Sequence, residues 1–388
     1  MDRFIERLPS FVEKTKSLKE TIIANVLLIG QIPSPTFSEH NRAKVFMERL
    51  AECQVDECST DSFHNPVGII RGRSSGLKPP IFLVAHLDTF FDKDIDHNFT
   101  VKTNTVTGPG IMDNSLGVGV LASMPGILRE LDIEFESDIV LAGVIQSLNR
   151  GNCQGIRHLI KTWPTPIRGA ICLEGGELGR LNYYSDGMIR LEIECHIFPN
   201  IGWIHRFKPN AILILNDVIN EILKLSLPQR PMSRVIIGKI RGGFKHGIIA
   251  YDASLGLEIQ SSSDQMVQSI YNDIKDIVEG ISHEFEVDLK LNPISNRVAS
   301  RLPYAHALVK TTGRIMTRLG LKPVSEHSES ELSVFLSQKI PAVTLGITHG
   351  DNYHLETAGM EIEPMFTGIA QVIGVMKAID SGVCDEQQ

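Results

Sequence analysis

Three continuous apolar runs, separated by segments with helical periodicity, constrain the fold more than any other feature of this sequence. The runs occupy residues 81–85, 138–145 and 169–173, and helical patterns cover residues 116–131 and 155–162. Continuous apolar runs are typical of strands that are buried on both faces of a parallel sheet. The order strand, helix, strand, helix, strand therefore predicts a three-layer α/β sandwich with right-handed crossovers.

The pattern changes after about residue 187. Residues 188–194, 253–259 and 284–291 alternate apolar and polar side chains, as strands with one exposed face do. Helical stretches at residues 209–225 and 263–280 accompany them, which predicts an α+β domain of two helices on an antiparallel sheet.

The α/β character returns near residue 306, with a predicted helix to residue 319, a strand at 342–347 and a final helix from residue 363. The small domain is therefore predicted to be inserted into the large one. We assign residues 1–187 and 300–388 to an α/β domain of metallohydrolase type, and residues 188–299 to the inserted α+β domain, which would serve as a lid or dimerisation domain.

Composition and charge narrow the class of protein. The chain has 388 residues, of which 42% are hydrophobic, so it can bury a large core. A net charge of -8 argues against a nucleic-acid partner. The N-terminal segment is charged, and its apolar stretch at residues 22–30 is too short to span a bilayer, so we expect a cytoplasmic protein with no membrane partner. Six cysteines without a CxxC pair indicate reduced thiols.

Candidate metal ligands follow the predicted strands. His86 and Asp88 end the first apolar run, Glu174 ends another, and His354 lies beyond the last predicted strand, while Asp113 follows a glycine-rich loop at a helix start. Carboxyl ends of parallel strands meet at one edge of the sheet. Each residue alone has a simpler interpretation, as a helix cap, a solvated carboxylate or a surface imidazole. Together they predict a metal site, in which the Asp88 carboxylate accepts the second ring N–H of His86.

The chain resembles the zinc-dependent metallopeptidase family that includes aminoacylases, glutamate carboxypeptidases and peptidase T. The resemblance extends over nearly the whole length and is carried by Ala85-His86-Leu87-Asp88-Thr89, Gly108-Pro109-Gly110-Ile111-Met112-Asp113-Asn114, Leu173-Glu174-Gly175, Gly242-Gly243, Ile340-Pro341-Ala342-Val343-Thr344-Leu345-Gly346 and Asn352-Tyr353-His354. It implies two zinc ions bridged by Asp113. His86 and Glu174 would complete one ion's ligands, and His354 would hold the other ion with a glutamate from a Glu-Glu pair, whose first member activates water.

That acidic pair is missing from this chain. Aligned on the following Gly155, it falls on Ser147-Leu148. Neither side chain accepts a proton near neutral pH, and Leu148 cannot bind a cation. The resemblance also places the family's substrate-contacting histidine, asparagine and arginine of the small domain at Ile201, Gly247 and Gln260.

Three hypotheses follow for the function. The favoured one is a catalytically impaired or silent homologue that keeps one Zn²⁺, or another divalent ion, at His86, Asp113 and Glu174, and binds a small-molecule or peptide ligand. The second is an active metal-dependent amide or peptide hydrolase with a rebuilt site. The third is a structural or regulatory subunit that binds no metal. The candidate bases for a rebuilt site are Glu177, Glu331, Asp351 and Glu356.

We also expect the protein to form a homodimer through the inserted domain. Residues 187–197 are predicted to form an unpaired edge strand and residues 209–225 a neighbouring helix, as in the dimers of the resembling family. An unpaired alternating edge strand associates with a second copy unless it is blocked.

Overall fold

The computed structural model describes residues 1–198, 209–328 and 330–385. The chain divides into two compact units, here called the large unit and the small unit. The large unit comprises Met1–Ser185 and Arg301–Gln388, and the small unit comprises Asp186–Ser300. The boundaries expected from the sequence, at residues 187/188 and 299/300, fall within two residues of these limits.

The first segment of the large unit contributes five α-helices and nine strands. They are α1 (Asp2–Thr15), α2 (Lys19–Gly30), α3 (His40–Glu52), β1 (Glu57–Thr60), β2 (Pro66–Ile70), β3 (Ile81–His86), β4 (Thr100–Val101), β5 (Thr105–Thr107), α4 (Leu116–Glu130), β6 (Ile139–Val144), α5 (Gln154–Thr162), β7 (Gly169–Gly176), β8 (Leu181–Asn182) and β9 (Tyr184–Ser185).

The small unit follows in the chain, and the large unit then resumes. The small unit contains β10 (Gly187–His196), α6 (Ala211–Leu223), β11 (Ser233–Gly242), β12 (Asp252–Ser261), α7 (Asp264–Phe285) and β13 (Asp288–Arg297). The remaining elements are β14 (Ser300–Arg301), α8 (Ala307–Arg318), α9 (Leu332–Ser337), β15 (Ala342–Thr348), β16 (Gly350–Asp351), β17 (Gly359–Glu361) and α10 (Ile362–Asp380).

The large unit is built on a seven-stranded sheet with the order β1-β2-β6-β3-β7-β15-β8. Its four central strands, β6, β3, β7 and β15, are parallel to one another. Their carboxyl ends therefore lie along one edge of the sheet, where ligands bind in open α/β folds.

Helices cover both faces of this sheet because its central strands are apolar on both sides. Leu83 and Leu173 pack with the buried residues of α1, α2, α4 and α10. Their strand neighbours Val84 and Cys172 pack on the opposite face with buried residues of α5 and α9. Each fully buried aliphatic side chain contributes roughly 1.5–3 kcal/mol through the hydrophobic effect. The predicted three-layer sandwich is confirmed.

Two stretches of the large unit, Ile111–Glu130 and Ile362–Asp380, are long and apolar enough to cross a membrane by composition alone. Both are mostly buried inside the protein, where they cover the central sheet. Buried core helices show the same composition, so the composition of these two helices does not indicate a membrane span.

The small unit is an antiparallel sheet with the order β11-β12-β10-β13 and two helices on one face. Leu191 and Ile193 of β10 pack with Ile214 of α6 and Ile274 of α7. This is the predicted arrangement of two helices on an antiparallel sheet.

The predicted edge strand at residues 187–197 was wrong. β10 pairs with β12 on one side and with β13 on the other, so it is an interior strand. The edges are β13 and β11, and β11 was not predicted from the sequence. Three consecutive apolar residues, 235–237, interrupt the alternation in β11, and the register with β12 shifts just after them, between Ile237 and Lys239. A bulge of this kind hides the two-residue period by which strands are recognised.

Candidate metal centre

His86, Asp113 and Glu174 converge because of how three neighbouring segments end. His86 is the last residue of β3, and Glu174 lies near the end of β7, the adjacent parallel strand. Asp113 lies in a tight π-type turn, Ile111–Ser115, directly before α4. Gly110 enters this turn with a φ of 70°, a left-handed conformation that glycine adopts without a steric penalty.

Asn114 fastens the turn that carries Asp113 to the end of β7. Its Nδ2 donates to the Leu173 carbonyl at 2.7 Å, and its Oδ1 accepts from the Gly175 N–H at 3.0 Å. Both partners flank Glu174. One buried amide side chain therefore sets the position of Asp113 relative to Glu174.

The three side chains fit a divalent cation. The Nε2 atom of His86 lies 3.0 Å from Asp113 Oδ1 and 3.9 Å from Glu174 Oε2. One ligand atom from each residue falls within a cluster whose members are all within 4.8 Å of one another. Ligands that hold zinc tetrahedrally at about 2.0–2.2 Å stand roughly 3.4 Å apart, so only small side-chain adjustments are needed. One imidazole and two carboxylates form a donor set that suits zinc and related ions.

The tautomer of His86 is fixed by a backbone group. Its Nδ1 donates to the carbonyl oxygen of Asp88 at 2.9 Å, which leaves Nε2 free to face the acidic pair. The sequence predicted that the Asp88 carboxylate would accept this hydrogen bond. That prediction was wrong, since the nearer carboxylate oxygen lies 3.6 Å away.

The Asp88 carboxylate instead holds the loop that follows β6. It accepts hydrogen bonds from the backbone N–H groups of Ser147, at 3.1 Å and 3.2 Å, and of Leu148, at 2.8 Å, and from the Thr36 hydroxyl at 2.9 Å. Burial alone would raise the pKa of Asp88, but His86 and these hydrogen bonds lower it overall. Asp88 is thus an ionised, buried carboxylate that holds the backbone of the loop containing Ser147 and Leu148.

Ser147 and Leu148 carry neither a carboxylate nor an imidazole. Ser147 Oγ is buried and has no hydrogen-bond partner among the described residues. The Leu148 side chain is apolar and half-buried. These two positions therefore offer a hydroxyl and a hydrocarbon side chain.

His354 approaches the opposite side of Asp113. Its Nδ1 lies 4.0 Å from Asp113 Oδ2, whereas Asp113 Oδ1 faces His86. The two oxygens of Asp113 thus face two histidines, as a bridging carboxylate would. The side chain of His354 is 76% exposed, and its other close contact is the edge of the Phe90 ring.

The loop that carries His354 is held beside β7 by its neighbour Tyr353. The Tyr353 hydroxyl donates to Glu177 Oε1 at 2.5 Å. The Tyr353 ring fills the space next to Gly176, where an added Cβ would lie only 2.0 Å from a ring carbon. Burial and the Glu177 carboxylate both raise the pKa of this tyrosine, so it remains a donor.

Four candidate bases were proposed from the sequence, and the structure separates them. Glu177 is exposed, and its carboxylate accepts a hydrogen bond from the Tyr353 hydroxyl. Asp351 and Glu356 are also exposed, and they lie before and after His354 in the chain. Glu331 differs from these three, because it is 2% exposed and its Oε1 has no hydrogen-bond partner among the described residues.

Burial and the charges of neighbouring groups shift the pKa values of Glu174 and His86. Burial raises the pKa of Glu174 to about 7, with His86 opposing this shift and Asp113 and Glu331 adding to it. Burial lowers the pKa of His86, but the hydrogen bond and charge of Asp113 and the nearby Asp88 carboxylate outweigh it and hold the pKa well above the ordinary range. A cation at this position would relieve the repulsion between the carboxylates and would displace protons from His86 and Glu174.

Sequence reasoning missed two buried residues that support the centre. Arg42 is fully buried and donates to the carbonyls of Gly30, Ile32 and Leu87, and burial lowers its pKa to about 10. Glu39 accepts from the N–H of Gln146, just before the replaced pair. Neither carries a sequence signal, because charged residues on an amphipathic helix normally face solvent.

No protein-family model matches this chain, and no curated protein matches it. Solved structures do. The dipeptidase Dug1p from Saccharomyces cerevisiae is 11% identical, with a TM-score of 0.77 over 97% of this chain and 99% of that one. The aminopeptidase PepT from Bacillus cereus is 16% identical, with a TM-score of 0.69 over 93% and 98%.

The YXEP protein from Bacillus subtilis, described as a dinuclear metal binding peptidase from the M20 family, is 13% identical, with a TM-score of 0.66 over 94% of this chain and 99% of that chain. At these identities the likeness establishes the fold. The chain thus has the fold of M20 metallopeptidases over nearly its whole length, and the resemblance drawn from its motifs is confirmed at that level.

Proposed function

We propose that this protein binds one divalent metal ion in an M20-type fold and is strongly impaired or silent as a peptide or amide hydrolase. One observation carries the proposal. His86, Asp113 and Glu174 are in place, whereas Ser147 and Leu148 stand where the resembling family has its water-activating glutamate and a metal ligand.

The three ligands account for a single tight site. Three protein ligands of this type hold zinc in many enzymes, and a bound ion would supply a Lewis acid that polarises a carbonyl group. His354 and the second oxygen of Asp113 offer only two donors to another ion, which is too few for tight binding. His86, Asp113 and Glu174 would hold the ion, while Asp88 and Arg42 hold the loops around it.

A hydrolysis assay tests the catalytic part of the proposal. The intact protein would be incubated with zinc, manganese or cobalt and with N-acyl amino acids and dipeptides, beside an active M20 peptidase as reference. Loss of a general base typically lowers the rate about 10²–10⁴-fold, so we expect turnover at least that far below the reference. Turnover comparable to the reference would refute the proposal.

Restoring the pair tests the structural reason for the impairment. The double variant Ser147→Glu with Leu148→Glu should raise the metal content from one ion towards two, because the carboxylate introduced at position 148 gives the second ion a third ligand beside Asp113 and His354. The single variant Ser147→Glu is the matched control, since it restores the base position without the ligand. Equal metal content in the double variant and the wild type would count against the assignment of Leu148 to the missing ligand.

The second candidate is an active hydrolase with a rebuilt site. Among the candidate general bases for such a site, Glu331 is favoured over Glu177, Asp351 and Glu356 because it is buried. Robust turnover that Glu331→Gln abolishes and Glu177→Gln leaves intact would establish this candidate in place of the first.

A further inference from the structure

Arg297 is a buried cation without a counter-ion in the part of the chain that the structure describes. It is the last residue of β13, it is 9% exposed, and its Nε is buried with no hydrogen-bond partner among the described residues. No described residue forms an ion pair with its guanidinium. Arginine stays ionised at ordinary pH, and a buried charge without a partner is strongly destabilising. The guanidinium of Arg297 is therefore expected to meet an anion.

The small unit does not offer this anion from its own side chains. Its residues outside the described ranges are 199–208, and their sequence includes no aspartate or glutamate. Glu192 and Glu258, which lie on the same face of the sheet as Arg297, already bond to other cations at 2.7 Å and 2.8 Å. A bound ligand is the remaining source of a negative charge within this unit.

The strand position of Arg297 is fixed by the sheet. Arg297 pairs with Met188 of β10 in the antiparallel register, and both residues alternate with side chains that face α6 and α7, so they lie on the opposite face. The chain after Arg297 is tied to the start of α7, because the Ala299 N–H donates to Asp264 Oδ1 at 2.7 Å. A ligand that binds here therefore meets a backbone that is already ordered.

Ser295 offers a second hydrogen-bond donor on the same face. It is 5% exposed and lies two residues before Arg297 in β13, so the two side chains leave the strand on the same side. Its hydroxyl contacts the Met188 sulfur at 4.0 Å. A thioether sulfur is a weak acceptor, so this hydroxyl is available to a stronger one such as an oxyanion.

We propose that Arg297, assisted by Ser295, binds the carboxylate of a small organic ligand in the small unit. The two oxygens of a carboxylate match the planar guanidinium fork, and one negative charge balances one unpaired cation. A phosphate monoester carries a charge of about -1.5 to -2 near neutral pH. That charge would stay partly unbalanced, since Arg190 and Lys239 on the same face are already paired. The inference does not depend on the metal centre, because it uses none of the residues there.

Removing the charge of Arg297 should have different effects with and without the anion. Without an anion, Arg297→Gln removes a buried unpaired charge, so its melting temperature should equal or exceed that of the wild type. With an anion, binding stabilises the wild type, and the variant should lose most of that gain. An arginine that only supports the fold would lower the melting temperature in both conditions when it is replaced.

The test titrates the intact, zinc-free chain with butyrate, with its neutral analogue butyramide and with inorganic phosphate, at an ionic strength held constant with chloride. The rise in melting temperature with concentration gives an apparent Kd for each probe. Because a hydrogen bond to a charged group is lost, we expect Arg297→Gln to weaken butyrate binding about 10–100-fold. Butyramide should bind neither protein. Arg241→Gln is the matched control, because Arg241 is an exposed arginine of the same sheet, and its butyrate affinity should equal that of the wild type.

A crystal structure of the wild type grown with butyrate gives a test that needs no variant. It should show a carboxylate oxygen within hydrogen-bonding distance of the Arg297 guanidinium. The inference is overturned if the wild type does not respond to butyrate, if Arg297→Gln binds butyrate equally well, or if no butyrate lies at Arg297 in that crystal. Tighter binding of phosphate than of butyrate would overturn the assignment of the ligand to the carboxylates.

Discussion

The Asp88 carboxylate holds the loop after β6 through backbone groups alone. It accepts hydrogen bonds from the backbone N–H groups of Ser147 and Leu148, and these bonds do not depend on the side chains at those positions. The path of the loop is therefore compatible with different side chains at the two positions.

Replacing Asp88 should destabilise the fold. In Asp88→Asn one acceptor oxygen becomes a donor facing backbone N–H groups, and leaving buried polar groups unpaired costs about 1–3 kcal/mol. Urea unfolding should show a loss of this size, and amide exchange should become faster at Ser147 and Leu148. The control Asp94→Asn changes an exposed acid and should stay within roughly 0.5 kcal/mol of the wild type.

Metal binding should strengthen as the pH rises. Glu174, with a pKa of about 7, and His86, with a pKa held well above its ordinary value, must both lose protons to bind an ion. Titration with zinc at pH values from 5 to 8 should show affinity rising with each step. Affinity that is constant across this range would exclude His86 and Glu174 as ligands.

In the metal-free protein, the same two groups should make the stability of the fold decrease as the pH rises. Both pKa values are raised in the folded state, so the folded state binds more protons than the unfolded state above the ordinary pKa values of glutamate and histidine. Their contribution to stability is fully present at low pH and is lost as the pH rises through about 7 and above. The gain in melting temperature on adding zinc should therefore increase with pH.

Two of the candidate ligands, His86 and Glu174, stand out in the sequence because each follows an apolar strand, and Asp113 stands out because it follows a glycine-rich loop at a helix start. The sequence could not show whether His86 donates to the carboxylate or to the backbone carbonyl of Asp88. The i, i+2 spacing indicates only that the two side chains lie on the same side of the strand. Arg42 and Glu39 were missed since they bond to backbone groups far along the chain.

At the level of elements, the edge strand β11 determines how the small unit can associate. Among the described residues no strand pairs with its outer side, and Ile236 and Ile240 are exposed on it. The neighbouring helix α6 exposes Leu213 and Leu223. We propose that a second copy of this chain pairs along β11 and α6, since an open edge with exposed apolar residues favours association.

Light scattering should give about twice the 43.0 kDa mass of the chain at micromolar concentration. Ile240→Lys places a charge on the open edge and should shift the protein towards monomer. Lys290→Gln, on the opposite edge strand β13, is the control. It should leave the dimer mass measured by light scattering unchanged. A monomeric wild type would contradict the dimer proposal.

The two kinds of strand differ in how well the sequence reveals them. The central strands of the large unit are apolar on both faces and were predicted nearly to their ends, as for residues 342–347 and the observed Ala342–Thr348. β11 escaped prediction because its bulge disrupts alternation, and this omission made β10 look like an edge. Strand order depends on pairings between distant segments, which a local pattern does not contain.

At the scale of the whole molecule, the fold is shared with proteins of very different sequence. The chain matches M20-fold structures at TM-scores of 0.66 to 0.77 with only 11–16% identity. The candidate ligands His86, Asp113 and Glu174 lie together in this fold, and the loop after β6 carries Ser147 and Leu148. The histidine position aligned with Ile201 lies outside the described residues, and Gln260 is buried beside Arg234 on β12 and β11.

The number of tightly bound divalent ions per chain tests the central claim most directly. Protein purified without chelator and dialysed with zinc would be measured by elemental analysis, beside His86→Ala whose fold is checked by circular dichroism. We predict one ion per chain in the wild type and none in His86→Ala, because His86 is the only nitrogen ligand of the triad. Two tightly bound ions per chain in the wild type, or one that survives His86→Ala, would contradict the account.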